Sequence, residues 1–580
     1  MRSRTLFLVL LLVSFAASAV EIPVIQGTGD TSPLVGQTIQ TDDNIVTAVG
    51  LKGFFIQTPD ARTVPGSRAS NGIYVFMNSL PPVNVGDQVD VSGRIDEYFN
   101  FTEIAGTVTV TVDAHDQPLP SVRELQPGFS DFEPLEGTLV RIVNGLATGG
   151  TDKFYATPVV AGQVRPFREP GASWDRNPEV IEIDPTALAT MPMAVPSIVG
   201  GASIALAEGP LGYAFGDYQI WATRLDVSNP SYPRAVRARR AGEMTIATQN
   251  LLRLFDDRDD PSWGDPKVTA ADYSHRLGKL STLLRSLLGS PDIVVVQEVE
   301  NEQALDDVAK KLASDEGALR YTAHSREGND TSGIDVGFLV RDTVRIDSID
   351  QYGKDLRWTT PSGSSQTVFD RPPLVLRGAY IGNGSPFPIV VMAIHMRSLI
   401  GVDDPADGPF ARAKRHEQGL RISQYIQSIQ TASPGTRIVV AGDFNAHEFS
   451  DGYVDVMGQI TGRPDPAGAM VAATDEVDPD LTNQIVRLPA SQRYSYVYEG
   501  NAQALDHILT SAALEPFVRD LQYARVNADA PESFATRTDA LRLSDHDPAV
   551  LFVMTDKDAD GRPDDAAGAT SGPRRRSVKH

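Results

Sequence analysis

Short apolar runs that each end in polar residues constrain the second half of this 580-residue chain more than any other feature. Runs of this length, rich in Val and Ile, predict buried strands. In α/β sheets the ends of such strands converge on one crevice, so polar residues placed there can share a site. The polar residues at these strand ends are Asn250, Glu298, His395, Asp443, Asn445, Asp506, Asp545 and His546.

The last of these clusters is the segment S-D-H-D at 544–547, which precedes Pro548 and an apolar run. A carboxylate beside a histidine at the mouth of a strand suits hydrolysis, because one group can orient while the other moves a proton. Taken alone, such a segment is more typical of a polar turn. Asp506 is different, because it lies within an apolar strand where an unpaired carboxylate would be costly.

The motifs Q-N, Q-E, H-x-R-S, G-D-F-N, L-D-H and S-D-H-x-P occur in this order between residues 249 and 548. This set resembles the endonuclease/exonuclease/phosphatase superfamily of deoxyribonuclease-like enzymes over residues 243–556. Within it the chain is most similar to secreted bacterial nucleases that carry β-rich modules ahead of the catalytic domain. The resemblance implies an α/β four-layer sandwich, in which helices cover two facing sheets. One departure is Arg397, where many relatives have lysine, and this exchange is not automatically conservative.

Phosphodiester hydrolysis requires neutralised charge on the phosphoryl oxygens, an activated water and a proton for the leaving oxygen. Oxygen ligands in a chain without cysteine suit Mg²⁺, Mn²⁺ or Ca²⁺ better than zinc. We therefore predict Glu298 as the principal metal ligand, assisted by Asn250 and Asp545. We predict His546 as the general base, with Asp506 as its orienting carboxylate.

The remaining predicted site residues bind the phosphate or orient other groups. His395 is expected to donate a hydrogen bond or a proton to the phosphate or the leaving group. Asp443 and Asn445 are expected to hold the nucleophilic water and the phosphate, or a second metal. Three further candidates are Asp335, which would orient His395, and Arg371 and Arg397, which would bind phosphate. For each of the three, a buried salt bridge is an equal alternative. His275, His324, His416 and His447 are expected to be surface residues.

The N-terminus has the pattern of a secretory signal peptide over residues 1–19. Two arginines precede an apolar run at 6–17, and the small residues A-S-A at 17–19 form a cleavage pattern. The run is too short to cross a membrane, although an uncleaved anchor is the alternative. A secreted chain without cysteine has no disulfides, which suits a bacterial envelope or growth medium. We expect a secreted or periplasmic protein with no membrane insertion.

Between the signal peptide and the catalytic region the sequence predicts two β-rich domains. Alternating runs at 22–118 suit a five-stranded barrel with a hairpin turn at Gly86-Asp87, and their order resembles an oligonucleotide-binding-like (OB-like) module. Tyr98, Phe99 and Phe101 could stack bases there or fill the core. Residues 119–240 are predicted to form the second domain, and residues 243–556 the catalytic domain. Within the catalytic domain, helices are predicted at 272–288, 304–312 and 415–429, and residues 557–580 are predicted to be a disordered tail. A calcium loop at 556–564 is the alternative for the start of that tail.

These observations predict a secreted, divalent-metal-dependent endonuclease that acts on DNA, with RNA as a further substrate left open. The net charge of −23 and the pI of about 4.8 oppose general attraction to a polyanion, so arginines and a metal must make the cleft locally positive. A phospholipid or sugar-phosphate phosphodiesterase or phosphatase, sphingomyelinase-like, is the alternative on the same scaffold. A non-catalytic binding protein would have lost some of the polar positions, and none is lost.

Overall fold

The computed structural model describes residues 19–172, 174–188, 196–258, 266–557 and 561–565. The predicted signal peptide lies almost entirely outside these residues, as do the predicted tail beyond residue 565 and part of the predicted calcium loop. No helix among the described residues is long and apolar enough to span a membrane. Strands and helices are numbered in chain order below.

The N-terminal part is a closed barrel of five strands that follows a short helix, α1 (Ile22–Gln26). The strands are β1 (Thr38–Val49), β2 (Gly53–Gln57), β3 (Gly72–Phe76), β4 (Gln88–Tyr98) and β5 (Phe101–Ala114). They pair in the order β1-β2-β3-β5-β4, and β4 closes the ring by pairing with β1. Alternate apolar side chains, among them Phe54, Ile73 and Val91, fill its core.

Two expectations for the barrel need correction. The turn at Gly86-Asp87 does not form a hairpin, because β4 pairs with β1 and β5 rather than with β3. Phe101 cannot stack a base, because it is buried against Phe55 and Tyr74. Tyr98 and Phe99 are exposed at the turn between β4 and β5, where Phe99 adopts a positive φ of 51°.

A seven-stranded sheet follows the barrel. Its strands are β6 (Arg123–Glu124), β7 (Leu139–Ala147), β8 (Thr157–Ala161), β9 (Ile181–Asp184), β10 (Ser203–Ala214), β11 (Asp217–Trp221) and β12 (Arg224–Ser228), in the order β12-β10-β11-β9-β8-β7-β6. Trp221 packs edge-on against Phe55 and Tyr74, so an aromatic cluster joins this sheet to the barrel. On its other side the sheet domain contacts the C-terminal half, where Arg165 pairs with Asp529 at 2.5 Å.

The C-terminal half contains two six-stranded sheets among the described residues. The first consists of β13 (Glu243–Leu254), β14 (Ile293–Val299), β15 (Tyr321–Ser325), β16 (Asp335–Arg341), β27 (Val518–Tyr523) and β28 (Ala549–Met554), in the order β15-β16-β14-β13-β28-β27. The second consists of β17 (Val344–Gln351), β20 (Leu374–Tyr380), β21 (Phe387–His395), β22 (Ile438–Asp443), β23 (Thr482–Asn483) and β26 (Asp506–Thr510), in the order β17-β20-β21-β22-β26-β23. Two small hairpins are β18 (Arg357–Thr359) with β19 (Ser365–Thr367), and β24 (Tyr496–Tyr498) with β25 (Asn501–Gln503).

The two sheets pack face to face, and helices cover their outer faces. In β14, Ile293 and Val295 join the core between the sheets, whereas Val294 and Val296 pack outward against helical residues. Because side chains of a strand alternate between faces, a strand covered on both sides must be a continuous apolar run, as this one is. The helices are α2 (Ala270–Thr282) and α3 (Glu302–Asp315) on the first sheet, and α4 (Gly408–Ala432) and α5 (Val456–Thr461) on the second.

The three predicted helices are present, with different ends. α2 begins at its cap Thr269, whose side chain accepts from the amide of Asp272, and it continues beyond Thr282 as a π-helical turn at Leu283–Leu287. α3 begins at the cap Asn301, and its last residue lies beyond the last apolar position of the pattern. Apolar periodicity locates the buried face of a helix, but caps and polar residues set its ends.

Candidate active site

Strand pairing brings the polar residues at the ends of the second sheet side by side. In the parallel pair of β21 and β22, His395 lies in register with Asp443. In the antiparallel pair of β22 and β26, Asp443 lies in register with Asp506. Gly442 precedes Asp443 with a φ of 150°, and a Cβ there would lie 2.0 Å from the carbonyl oxygen of Ile394. The glycine of G-D-F-N therefore allows the two strands to approach at the site.

Four side chains meet at one point between the two sheets. The Nδ2 of Asn250 donates to Glu298 Oε1 and to Asp443 Oδ2, at 3.1 Å in each case. The Nε2 of His395 lies 4.0 Å and 3.6 Å from the same two oxygens. Two carboxylate oxygens from different sheets therefore face two nitrogen donors across the crevice.

The backbone around Glu298 is unusual for a strand residue. Glu298 has a positive φ of 60°, at a register shift where β14 pairs with β16. The bulge re-aims the carboxylate, whose Oε2 accepts from the amide of Arg253 at 3.0 Å. Non-glycine residues with positive φ are strained and cluster at functional sites. Asn445, which follows Asp443, is a second one, with a φ of 46°.

His546 forms a close pair with Asp506. Its Nδ1 lies 2.7 Å from Asp506 Oδ2, and the hydroxyl of Ser495 donates to the same oxygen at 2.7 Å. Burial alone would lower the pKa of His546, but the carboxylates of Asp506, Asp545 and Asp443 hold it well above its usual range. The histidine therefore carries a proton on Nδ1 that is fixed by Asp506, and its Nε2 can take up or release a proton.

A buried network fixes the loop that carries His546. Asp547 accepts hydrogen bonds from the amides of Val526 and Asn527, at 2.9 Å and 2.8 Å, and pairs with Arg525 at 3.1 Å. The side chain of Asn527 in turn donates to the carbonyl of His546 at 2.7 Å. The second aspartate of S-D-H-D is thus a positioning residue for the loop rather than a member of the site.

His395 is buried in a different way. Its Nδ1 has no hydrogen-bond partner among the described residues. Burial lowers the pKa of His395 well below its usual range, and the charges of Arg371 and His546 lower it further. The ring is therefore neutral at physiological pH, and its Nε2 faces the carboxylates of Glu298 and Asp443.

Asp443 lies at the centre of the group. Burial raises its pKa to about 7, the neighbouring carboxylates of Asp506 and Glu298 add to the rise, and the charge of His546 opposes it. Its Oδ1 accepts from the amide of Asn445 at 2.8 Å. Carboxylates crowded in this way hold one another protonated unless a positive group lies between them.

The donor set of this group fits a hard divalent cation. Ligand atoms of Asp443, Asp506 and His546 lie within 4.8 Å of one another. The Oδ1 of Asp506 is buried and accepts no hydrogen bond from any described residue. Carboxylate oxygens are the ligands that Mg²⁺, Mn²⁺ and Ca²⁺ prefer. Asp443 belongs both to this group and to the Asn250–Glu298 cluster, so these residues would hold the cation.

Arg371 and Asn445 share the carbonyl of Met396, and Arg397 lies next to it in the sequence. Arg371 donates from Nη2 to this carbonyl at 2.9 Å, and from Nη1 to Asp330 at 2.9 Å. The Nδ2 of Asn445 donates to the same carbonyl at 3.1 Å. The guanidinium of Arg397 lies 5.4 Å from the centre of the Phe410 ring. Arg371 is thus partly committed to a salt bridge, whereas Arg397 makes none among the described residues.

One predicted contact is wrong. The hydrogen bond from Asp335 to His395 is not formed: Asp335 Oδ2 accepts from the amide of Gly328, and its Oδ1 meets no donor within the described ranges. Asp545, which was predicted to assist Glu298 in binding the metal, contacts Ser544 and, at 3.9 Å, His546 Nε2. The position of Asp545 is set by the loop that holds His546, and not by the strand that carries Glu298.

Residues that the sequence did not identify complete the site. Ser495 orients Asp506, and the Tyr496 ring lies 4.8 Å from that of His546. Both come from a hairpin segment without a recognisable motif. His447 is not a surface residue as expected, since it is buried with an exposed fraction of 2%. His275, His324 and His416 are partly exposed, as expected of surface residues. The position of His447 two residues after G-D-F-N was the available signal.

Family models match two parts of the chain. The model of the Endonuclease/Exonuclease/phosphatase family matches residues 245–530. A second model, described as a domain of unknown function, matches residues 109–230, where the seven-stranded sheet lies. No curated protein matches the chain.

Solved structures match about half of this chain. An endonuclease/exonuclease/phosphatase from Bacteroides vulgatus is 16% identical, and the match covers 54% of this chain and 99% of that one with a TM-score of 0.35. The human Nocturnin catalytic domain with bound sulfate is 15% identical, with 55% and 97% covered and a TM-score of 0.35. Truncated Caenorhabditis elegans TDP2 is 15% identical, with 54% and 98% covered and a TM-score of 0.33.

Proposed function

Through residues 245–530 the chain belongs to the endonuclease/exonuclease/phosphatase family, and from this premise we propose that it is a secreted, divalent-metal-dependent nuclease that hydrolyses extracellular DNA. The observation that carries the proposal is the hydrogen-bonded pair of His546 and Asp506 beside the crowded carboxylates of Glu298 and Asp443. A base fixed by a carboxylate next to a cation site is the equipment for attack of water on a phosphodiester.

His546 is the general base of the proposed reaction. Its Nδ1 is held by Asp506, so Nε2 accepts the proton of the attacking water. Only the deprotonated ring can do so, and the surrounding carboxylates raise its pKa. We therefore expect the rate to rise with pH above neutrality. When bound at the carboxylates of Glu298 and Asp443, a divalent cation supplies positive charge that stabilises the phosphoryl oxygens.

His395 and Asn445 act on the phosphate itself. The neutral ring of His395 donates a hydrogen bond from Nε2 to a phosphoryl or leaving oxygen without adding a charge to the crevice. Asn445 is held by its strained backbone beside Asp443, where its side chain can turn to the same phosphate. Arg397, which has no carboxylate partner among the described residues, supplies a positive charge at the rim.

The N-terminal part suits a role in presenting the nucleic-acid strand of the substrate to the catalytic site. The closed five-stranded barrel with the order β1-β2-β3-β5-β4 supports the proposal of an OB-like module, and its β4–β5 turn exposes Tyr98 and Phe99 for stacking. Together with two facing sheets and their covering helices in a four-layer arrangement, this organisation suits a secreted nuclease. The signal-peptide pattern at residues 1–19 is the basis for proposing secretion.

The test is the nicking of supercoiled plasmid by the full chain recovered from the culture medium. Nicking is expected with Mg²⁺ or Mn²⁺, none with EDTA, and loss of activity in Glu298→Gln, which keeps the size of the side chain and removes its charge. Glu302→Gln at the exposed start of α3 is the matched control. An N-terminus after residue 19 in the recovered protein supports secretion. Intact plasmid with every divalent cation tried, together with hydrolysis of sphingomyelin or a sugar phosphate, would reject the nuclease.

A further inference from the structure

A cavity of about 560 Å³ lies between the seven-stranded sheet domain and the catalytic half, outside the site described above. The sheet domain contributes Arg165 and Arg168, and the catalytic half contributes His447 and Arg493. Half-buried Phe167 and Phe449 also line it, one from each side. A volume of this size is that of a site for a small molecule or for one unit of a polymer.

Buried polar atoms without partners are concentrated at this cavity. Nε of Arg165, Nη1 of Arg168 and Nδ1 of His447 are all buried, and none has a hydrogen-bond partner in the part of the chain that the structure describes. Buried donors without partners are rare because each costs about 1–3 kcal/mol. Two of these atoms belong to arginines and are donors, which favours a ligand that accepts hydrogen bonds. The neutral ring of buried His447 donates to the backbone of Ala504, so its Nδ1 is free to accept a hydrogen bond.

The charge of the cavity is positive in a strongly acidic protein. Arg165 is balanced by Asp529, but Arg168 and Arg493 form no ion pair with any described residue. Glu448 also lines the cavity; burial raises its pKa, and the charge of Arg493 opposes that rise. An acceptor that carries negative charge, such as a phosphate, satisfies both the unpaired donors and the unpaired charges.

The cavity adjoins the backbone that carries the catalytic residues. His447 is two residues from Asn445, and Ala504 of the cavity wall is two residues from Asp506. Two residues span at most about 7 Å, so each pair is close in space. Phe449 packs beside the His447 ring at 5.3 Å, which places an aromatic face in the same wall. Aromatic faces beside cations are what single-stranded nucleic acid requires, since bases stack and phosphates pair.

We propose that this cavity is a subsite for one nucleotide of the substrate strand next to the scissile phosphate. Arg168 and Arg493 bind its phosphate, and Phe449 and Phe167 contact its base. The subsite rests on the proposed nuclease function, and it assigns the second β-rich domain a direct share in substrate binding. The overall charge of −23 is then compatible with nucleic acid, because contact is confined to a local positive pocket.

The first test places a negative charge on the rim of the cavity without removing any contact. Ser491 is exposed there, and no side-chain hydrogen bond of Ser491 is found among the described residues. In the full chain with Mg²⁺, Ser491→Glu is expected to raise KM for a single-stranded oligonucleotide about 5–10-fold, with kcat within about twofold. Ser491→Gln, of the same size and neutral, is expected to behave as the unmodified chain. Arg493→Ala is expected to raise KM similarly and to reduce the salt dependence of binding by about one unit.

A small substrate separates the two proposals. Bis(4-nitrophenyl) phosphate occupies only the catalytic centre, so Ser491→Glu and Ser491→Gln should both hydrolyse it at the unmodified rate. If the unmodified chain cleaves neither this compound nor the oligonucleotide, the nuclease function fails. If it cleaves both and Ser491→Glu equals Ser491→Gln on the oligonucleotide, only the subsite is rejected. If Ser491→Glu weakens binding of a free 5′-mononucleotide in calorimetry but leaves the oligonucleotide KM unchanged, the cavity serves a free nucleotide and the subsite is again rejected.

Discussion

His546 and His395 stand on opposite sides of one crevice and are equally buried, with exposed fractions of 7% and 6%. Their surroundings nevertheless drive their titration in opposite directions. The pKa of His546 is held well above its usual range, with Asp506 at 2.7 Å, whereas burial keeps the pKa of His395 well below it. Equal desolvation therefore gives opposite charge, and the deciding difference is a carboxylate within hydrogen-bond distance.

The comparison explains why one site can use two histidines. A general base must bind a proton strongly enough to take it from water, and a carboxylate partner raises the pKa of the histidine for this purpose. A histidine that donates a hydrogen bond to phosphate works best if it does not itself titrate near the working pH. Asp443 at 3.6 Å from His395 is too distant to act as Asp506 does for His546, and its own pKa is raised to about 7. The two sides of the crevice are therefore chemically distinct although the same types of residue line them.

The largest expected effect is that of His546→Ala. Loss of the base should lower kcat about 10⁴-fold, at the upper end of general acid–base contributions, because no other described residue of the site is held by a carboxylate in the same way. Plasmid nicking and hydrolysis of bis(4-nitrophenyl) phosphate measure it. His324→Ala, on β15 away from the site, is the control. A loss under tenfold would assign the base elsewhere and remove the distinction between the two histidines.

Asp506→Asn should have the next largest effect. Without the charge of Asp506 the pKa of His546 should fall toward its usual range, and kcat should fall about 10³-fold because the ring loses its fixed orientation. The pH–rate profile should shift to lower pH at the same time. His546 resonances followed by NMR over pH give an independent readout. An unchanged His546 pKa would show that Asp506 does not create the difference.

His395→Ala should lower kcat about 10²-fold, since it removes one hydrogen bond to the phosphate. The neutral ring contributes no titration near neutrality, so the pH–rate profile should keep its shape. His395→Asn, which keeps a donor, should recover part of the rate. A profile that loses its alkaline rise in His395→Ala would mean that the two histidines have exchanged roles.

The sequence predicted the members of the site better than their contacts. The apolar runs located Asn250, Glu298 and Asp443 at strand ends, because alternation and burial are properties of the strand itself. Asp506 stood out because a carboxylate in an apolar strand needs a partner, and the structure supplies His546. These inferences required only local pattern and one physical rule.

Contacts that depend on loops were not predictable. Asp545 follows the loop that Asp547 and Asn527 anchor, and that anchor is a set of hydrogen bonds between segments about twenty residues apart. Ser495 lies in a segment without a motif. The seven-stranded sheet domain packs near His447, and the residues next to His447 in the sequence do not indicate this. The strand order of the barrel likewise depends on long-range pairing, which the turn at Gly86-Asp87 did not reveal.

The smallest expected effect is that of Asp335→Asn, which tests why His395 differs from His546. Asp335 does not bond to His395, so the substitution should leave kcat within about threefold. Its effect should be on stability, because burial raises the pKa of Asp335 to about 7, above the value of about 3.9 in an unfolded chain. The native state therefore binds this proton more tightly, and the free energy of unfolding falls as pH rises from about 4 to about 7.

Asparagine removes that dependence while it can still accept the hydrogen bond from the amide of Gly328. Asp335→Asn should therefore melt above the unmodified chain at pH 8, by roughly 2–4 °C for a domain of this size, and at nearly the same temperature at pH 4.5. Exposed Asp342→Asn on the same sheet should melt as the unmodified chain at both pH values. A fall in kcat as large as that of His395→Ala would instead mean that Asp335 contacts His395 during turnover. Each histidine would then have a carboxylate partner. The difference between their pKa values would depend on the distance to that carboxylate and not on whether one is present.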